Sequence, residues 1–126
     1  MYDIPFIYKN INYLLEYDGG QHFKRVHFFC KTEEKFQYYR NIDIEKTYLA
    51  LSRGFRIIRI DHTKINCIQT WIEYALDADV QAFYSDNVLY SWIIEGVKEK
   101  IKIAEEDDSK NEDVEDPEDS DEEDSE

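Results

Sequence analysis

The sequence predicts an α/β domain in which a small β-sheet is layered with helices. Three observations indicate this class: two apolar segments near the N-terminus that are separated by turn residues, a run rich in β-branched side chains at 55–60, and helical periodicity between and after these segments. The predicted order is strand, strand, helix, strand, helix, helix. The helix between the second and third strands permits a parallel crossover.

The first two strands are predicted to form an antiparallel hairpin. Apolar residues alternate along 4–8, Lys9 and Asn10 supply turn chemistry, and 11–17 runs apolar and aromatic until a pair of glycines. The second strand has a continuous apolar stretch at 13–15, which is typical of a strand that is covered on both faces. Two acidic residues at the end of such a strand are unexpected and need an explanation.

The segment 33–53 is predicted to be helical. Thr32 can cap its N-terminus, and Gly54 is a plausible stop after its last turn. Asp43 can equally cap a second helical stretch, so the pattern leaves open whether this region is one helix or two.

The six residues 55–60 are a strong strand candidate because most of them are β-branched or aromatic. Thr63 is expected to cap the next helix, and a loop around 84–87 is expected to lead to the last one. We assign 1–104 to the folded domain and 105–126 to a disordered tail.

The charge of the chain is concentrated in that tail. Residues 105–126 hold 15 of the 29 acidic side chains and one basic side chain, whereas 1–104 has equal numbers of each sign. The net charge of −14 therefore says little about what the folded part binds. The acidic tail can contact a basic protein or shield a basic face of the domain.

Several protein classes are excluded or disfavoured by the sequence. No apolar stretch approaches the ~18 residues that a membrane helix needs, and no charged-then-apolar leader opens the chain. Cys30 and Cys67 form neither a CxxC pair nor a disulfide framework, so we expect an intracellular protein that is not secreted, with a cytoplasmic or nuclear location and a viral origin as open alternatives.

The strongest chemical pattern is acidic. Glu16 and Asp18 project from one face of a strand, and the hairpin brings Asp3 towards the same end. Carboxylates that converge repel one another unless a cation lies among them, and hard oxygen ligands suit Mg²⁺ or Mn²⁺. His22 can move a proton near neutral pH. The alternative interpretation, a polar hairpin end with solvated acids, has about equal weight on spacing alone.

The runs LLEYDGGQHF, FFCKTEEKF and RNIDIEKTYLALSRGFRIIRI resemble the PD-(D/E)XK nuclease superfamily. Within it, the chain is most similar to the small endonucleases related to very-short-patch-repair enzymes of bacteria, phages and large DNA viruses. The resemblance covers about residues 1–62. It implies a restriction-endonuclease-like core, with a small mixed sheet of three to four strands flanked by helices, and metal-dependent hydrolysis of DNA phosphodiester bonds.

The resemblance also implies roles for individual residues. Asp3 matches the metal-binding aspartate of the first motif, Glu16 the acidic position on the next strand, and His22 a catalytic histidine. Asp18 lies near the position where other members of the superfamily carry lysine. We therefore predict Asp3, Glu16 and Asp18 as metal ligands and, with His22 and Lys46, as the catalytic set.

On the helix, Asp43 and Lys46 match a DxxK motif, in which the lysine is expected to contact phosphate or to stabilise developing charge. Further basic residues are expected to hold the DNA backbone, although solvated side chains are the ordinary alternative: Lys24, Arg25, Lys31, Lys35, Arg40, Lys46, Arg53, Arg56 and Arg59. The competing function is that of a catalytically inactive module with the same fold, which binds DNA or a protein partner.

Overall fold

The computed structural model describes residues 2–20 and 32–114 of the chain. In this part it forms a mixed α/β fold with a four-stranded sheet flanked by helices. The strands are β1 (Tyr2–Tyr8), β2 (Ile11–Asp18), β3 (Arg56–Asp61) and β4 (Ala82–Tyr84), and the helices are α1 (Glu33–Ser52), α2 (Ile68–Ala78) and α3 (Ser91–Val114).

The predicted hairpin is confirmed. β1 and β2 pair antiparallel, and Lys9 and Asn10 form the turn between them with φ angles of 51° and 65°. The register places Asp3 directly opposite Glu16. Side chains of directly opposed residues share one face of the sheet, so this pairing brings the two carboxyl groups together.

The sheet has the order β1-β2-β3-β4, and the last two pairings are parallel. This arrangement confirms the predicted parallel crossover from β2 to β3 through α1. Glu16 lies opposite Arg59, and Asp18 lies opposite Asp61. One face of the two central strands therefore presents acidic and basic side chains side by side.

The two faces of the sheet differ in character. The face towards α2 is an apolar core built on Tyr13, Ile58, Ile60 and Ala75, and strand alternation sends their neighbours to the opposite face. On that opposite face lies α1, and α3 packs against α1. β2 is thus covered on both faces of the sheet, as its apolar run at 13–15 predicts.

α1 is one continuous helix, which settles the choice between one helix and two. Its predicted cap is confirmed, since the Thr32 hydroxyl accepts a hydrogen bond from the Lys35 backbone N–H at 3.1 Å. The interpretation of Asp43 as a second cap is wrong, because this residue lies in the middle of α1 and is buried.

Three further details differ from the prediction. β4 has only three residues and is not among the predicted strands. The sequence predicts only the loop around 84–87 in this region. Thr63 lies in a short 3-10 helix (His62–Cys67) that Asp61 caps, with α2 following it. α3 continues to Val114, ten residues past the predicted domain boundary.

α1 and α3 approach closely at one point. A Cβ atom at Gly96 would lie 2.5 Å from Ile44 Cδ1, so glycine lets the two helices meet there. A larger side chain at this position would require Ile44 or the helices to shift.

Among the described helices, none combines the length and apolarity needed to cross a bilayer.

Candidate functional site

Arg59 is the centre of a buried polar cluster between the sheet and α1. Its side chain is 1% exposed and forms a two-pronged contact with Asp18, which is fully buried. Nε donates to Asp18 Oδ2 at 2.9 Å, and Nη2 donates to Asp18 Oδ1 at 2.6 Å. This fork geometry is the strongest arrangement available to a guanidinium and a carboxylate.

The remaining donors of Arg59 are directed at α1 and at β2. Nη1 donates to the Thr47 hydroxyl at 3.1 Å, and Nη2 lies 2.9 Å from Glu16 Oε1. The same Nη2 atom lies 3.8 Å from Asp43 Oδ2. Burial alone would lower the pKa of Arg59, but the hydrogen bonds and charge of Asp18 outweigh it and raise that pKa above its ordinary value.

Tyr90 completes the surroundings of Asp18. This residue lies just before α3 and is fully buried, and its hydroxyl donates to Asp18 Oδ2 at 2.6 Å. Burial and the charge of Asp18 raise the pKa of Tyr90, so the phenol keeps its proton and remains a donor. Asp18 is therefore held by Arg59 and Tyr90 together.

An open part of the cluster adjoins this buried part. Lys46 extends from α1 to the pair of opposed carboxyl groups, with Nζ 3.1 Å from Asp3 Oδ2 and 3.3 Å from Glu16 Oε2. The side chains of Lys46 and Asp3 are 44% and 37% exposed, whereas that of Glu16 is 9% exposed. The pair therefore has one carboxylate towards solvent and one towards the core.

Burial and the neighbouring acid act on Glu16 in the same direction. Burial and the hydrogen bond with Asp3 raise the pKa of Glu16 to about 8, despite the charge of Arg59. The same hydrogen bond, together with Lys46, holds the pKa of Asp3 below its usual range. At neutral pH the pair consequently carries a proton on Glu16 that it shares with Asp3.

Acidic groups outnumber basic groups among the described residues around Arg59. Within residues 2–20 and 32–114, four carboxylates (Asp3, Glu16, Asp18 and Asp43) lie beside two cations (Arg59 and Lys46). Glu16 Oε1 is buried and accepts no hydrogen bond from the described residues. Its 2.9 Å contact with Arg59 is thus a charge contact that lacks hydrogen-bond geometry.

Room for a small ligand exists beside the pair. A depression of about 20 Å³ is lined by Asp3, Glu16, Lys46 and Thr47 together with the apolar residues Leu14, Ala50 and Ile57. This volume suits roughly one water molecule or one small ion. Two hard carboxylate oxygens next to such a space fit Mg²⁺, which binds through one or two carboxylates and keeps several waters.

The structure brings together three of the five predicted catalytic residues, Asp3, Glu16 and Lys46. Asp18 lies in the buried part of the cluster, where it accepts hydrogen bonds from Arg59 and Tyr90. Within residues 2–20 and 32–114, no group of three or more histidine, cysteine, aspartate or glutamate side chains is arranged to hold a metal ion. His22 lies outside the described residues.

The residues that are expected to contact DNA also differ in their exposure and in their partners. Arg59 is not available to DNA because it is buried, which makes that prediction wrong. Arg40 stacks between the rings of Phe36 and Trp92, and Arg56 pairs with Asp79. Lys35, Lys46 and Arg53 are exposed on α1 and its end. The others lie outside the described residues: Lys24, Arg25 and Lys31.

The structural roles of two residues of the cluster are not predicted by the sequence. Arg59 was assigned to DNA, and Tyr90 was not singled out. An arginine within a β-branched strand is itself a signal, because a buried guanidinium requires a carboxylate partner. The unexpected acids at the end of β2 are the carboxylates that contact this arginine. Nothing in the local sequence indicates Tyr90, which lies 72 positions from Asp18.

Comparisons of the chain with family models, with curated proteins and with solved structures gave no match.

The different positions of Asp18 and Asp3 predict different effects on stability. Asp18→Asn should lower the free energy of unfolding by about 3 kcal/mol, because it removes the charge partner of a buried arginine. Asp3→Asn should change it by less than about 1 kcal/mol, since this acid is exposed. Urea unfolding of both variants measures the difference, and equal losses would contradict these positions.

The raised pKa of Glu16 predicts a pH dependence of stability. Between pH 4.5 and about 8 the folded chain holds a proton on Glu16 that the unfolded chain releases, so this group makes the unfolding free energy fall as pH rises. The contribution is on the order of a few kcal/mol. Glu16→Gln should remove this part of the slope in urea unfolding at pH 5, 6, 7 and 8. Parallel profiles for the variant and the wild type would contradict the shift.

Proposed function

We propose that this protein is a metal-dependent DNA endonuclease that hydrolyses phosphodiester bonds. The observation that carries the proposal is the meeting of Asp3, Glu16 and Lys46 at an open depression beside the sheet. Two carboxylates and a cationic side chain are a set that can hold Mg²⁺ or Mn²⁺ and contact a phosphate. The motif order in the sequence supports the same activity, and with it a restriction-endonuclease-like core.

Asp3 and Glu16 are the residues that would hold the ion. When bound, a divalent ion supplies Lewis-acid polarisation of a phosphate and lowers the pKa of a bound water, which together are worth several kcal/mol. Glu16 must lose its proton to act as a ligand. Because its pKa is about 8, ion binding at neutral pH should release a proton.

Two positively charged residues lie beside the Asp3–Glu16 pair. Arg59 keeps a fixed positive charge 2.9 Å from Glu16 Oε1. Lys46 provides a positive charge that can stabilise a phosphate. His22 is retained in the proposal as a general acid or base on the evidence of the sequence alone.

A basic line along α1 supports nucleic acid as the substrate. Lys35, Lys46 and Arg53 are 11 and 7 positions apart, which places them on one side of the helix. At about 1.5 Å per residue they span roughly 27 Å, with Lys46 between the other two. Cations spaced along such a line suit the phosphates of a DNA backbone that passes over the carboxylate pair.

A second candidate is the catalytically inactive module that binds DNA or a protein. The observation that favours it is the engagement of Asp18 with Arg59 and Tyr90, which leaves Asp3 and Glu16 at the depression instead of the three carboxylates that the sequence predicts. On this alternative the basic line on α1 binds a partner and no hydrolysis follows.

Cleavage of supercoiled plasmid in the presence of Mg²⁺ or Mn²⁺ separates the two candidates. The wild type should nick the plasmid, and Asp3→Ala and Glu16→Ala should each reduce the rate at least about 100-fold. Glu73→Ala, which removes an exposed acid on α2, is the matched control and should retain full activity. The same background rate in all four proteins would rule out the enzyme. DNA binding without cleavage would then favour the module.

A further inference from the structure

Lys46 contacts one oxygen of each carboxyl group in the Asp3–Glu16 pair. Its ammonium lies between Asp3 Oδ2 and Glu16 Oε2, at 3.1 and 3.3 Å. The other oxygen of Glu16 faces Arg59, which is buried and held by several partners. A divalent ion that bridges the pair through Asp3 Oδ2 and Glu16 Oε2 would therefore meet the lysine there.

The two cations of the cluster differ in their freedom to move. Arg59 is fixed by Asp18 and Thr47, and its side chain is 1% exposed. The side chain of Lys46 is 44% exposed, and its backbone is held in α1 next to the buried Thr47. A flexible four-carbon stem on a fixed backbone lets the ammonium turn away while the helix stays in place.

Lysine and a divalent ion cannot share this contact. Mg²⁺ binds oxygen at about 2.0–2.1 Å and demands near-octahedral geometry, so its water shell would need the space in which the ammonium lies. Like charges at such a short distance also repel strongly. Ion binding therefore requires that Lys46 leaves the pair.

We infer that Lys46 is a displaceable counter-ion: it neutralises the Asp3–Glu16 pair when no ion is bound, and it leaves the pair for a phosphate when an ion binds. The inference rests on the proposed function, because it assumes an ion site at these carboxylates. It assigns Lys46 two successive partners, first the carboxylate pair and then the substrate. The carboxylates are thus neutralised in both states of the site.

Acetylation of lysines by acetic anhydride, followed by mass spectrometry, tests this exchange in the full chain. Lys100 is an internal reference, since it pairs with Glu45 and its side chain is 38% exposed, close to the 44% of Lys46. Addition of Mg²⁺ should raise the acetylation rate of Lys46 several-fold and leave Lys100 unchanged. In Glu16→Gln, Mg²⁺ should have no such effect on Lys46.

Calorimetric titration with Mg²⁺ completes the test. The acidic C-terminal segment also attracts cations, so the isotherm of Glu16→Gln is subtracted to isolate binding that depends on the pair. Lys46→Met should bind about tenfold more tightly in this difference, because a competing unit charge is removed, and Lys100→Met should match the wild type. Glu16-dependent binding with unchanged Lys46 acetylation would overturn the inference and leave the proposed function standing. Absence of Glu16-dependent binding would overturn both.

Discussion

A guanidinium group can be buried only where carboxylates and other acceptors surround it, and this requirement organises the described fold around Arg59. Arg59 projects from a central strand towards the face that α1 covers, and its side chain is buried there. It bonds to Asp18 on the neighbouring strand and to Thr47 on α1, and Asp18 in turn accepts a hydrogen bond from Tyr90, just before α3. Arg59 and Asp18 together therefore link the sheet to α1 and to the segment that leads into α3.

The same requirement determines which acids remain open. The fork of Arg59 takes both oxygens of Asp18, and only one of its nitrogens also approaches Glu16. Glu16 is left between a buried cation and the exposed Asp3, where burial favours its protonated form. Glu16 stays paired with Asp3 at the depression because Arg59 is satisfied mainly by Asp18. A fold without the arginine would bury several acids with no fixed counter-charge.

Much of this arrangement follows from the sequence. The turn at Lys9 and Asn10 sets the hairpin register, and that register places Asp3 opposite Glu16, as the acidic pattern predicts. These features depend on neighbouring residues, for which turn chemistry and alternation are sufficient.

The features that the sequence analysis missed depend on contacts between distant residues. The pattern at 55–60 predicts a strand but does not show which face meets α1, so Arg59 was assigned to DNA. Asp43 resembled a helix cap because a short polar side chain favours that position, whereas its burial beside Arg59 depends on the crossover. β4 has three residues, too few for periodicity to indicate a strand.

A crystal structure of the full chain grown with Mn²⁺ would show whether the Asp3–Glu16 pair holds an ion, because anomalous scattering locates the metal. We expect one ion in contact with Asp3 and Glu16, with Asp18 still bound by Arg59 and Tyr90. An ion ligated by Asp18 after it has left Arg59, or no ion at the Asp3–Glu16 pair, would contradict it.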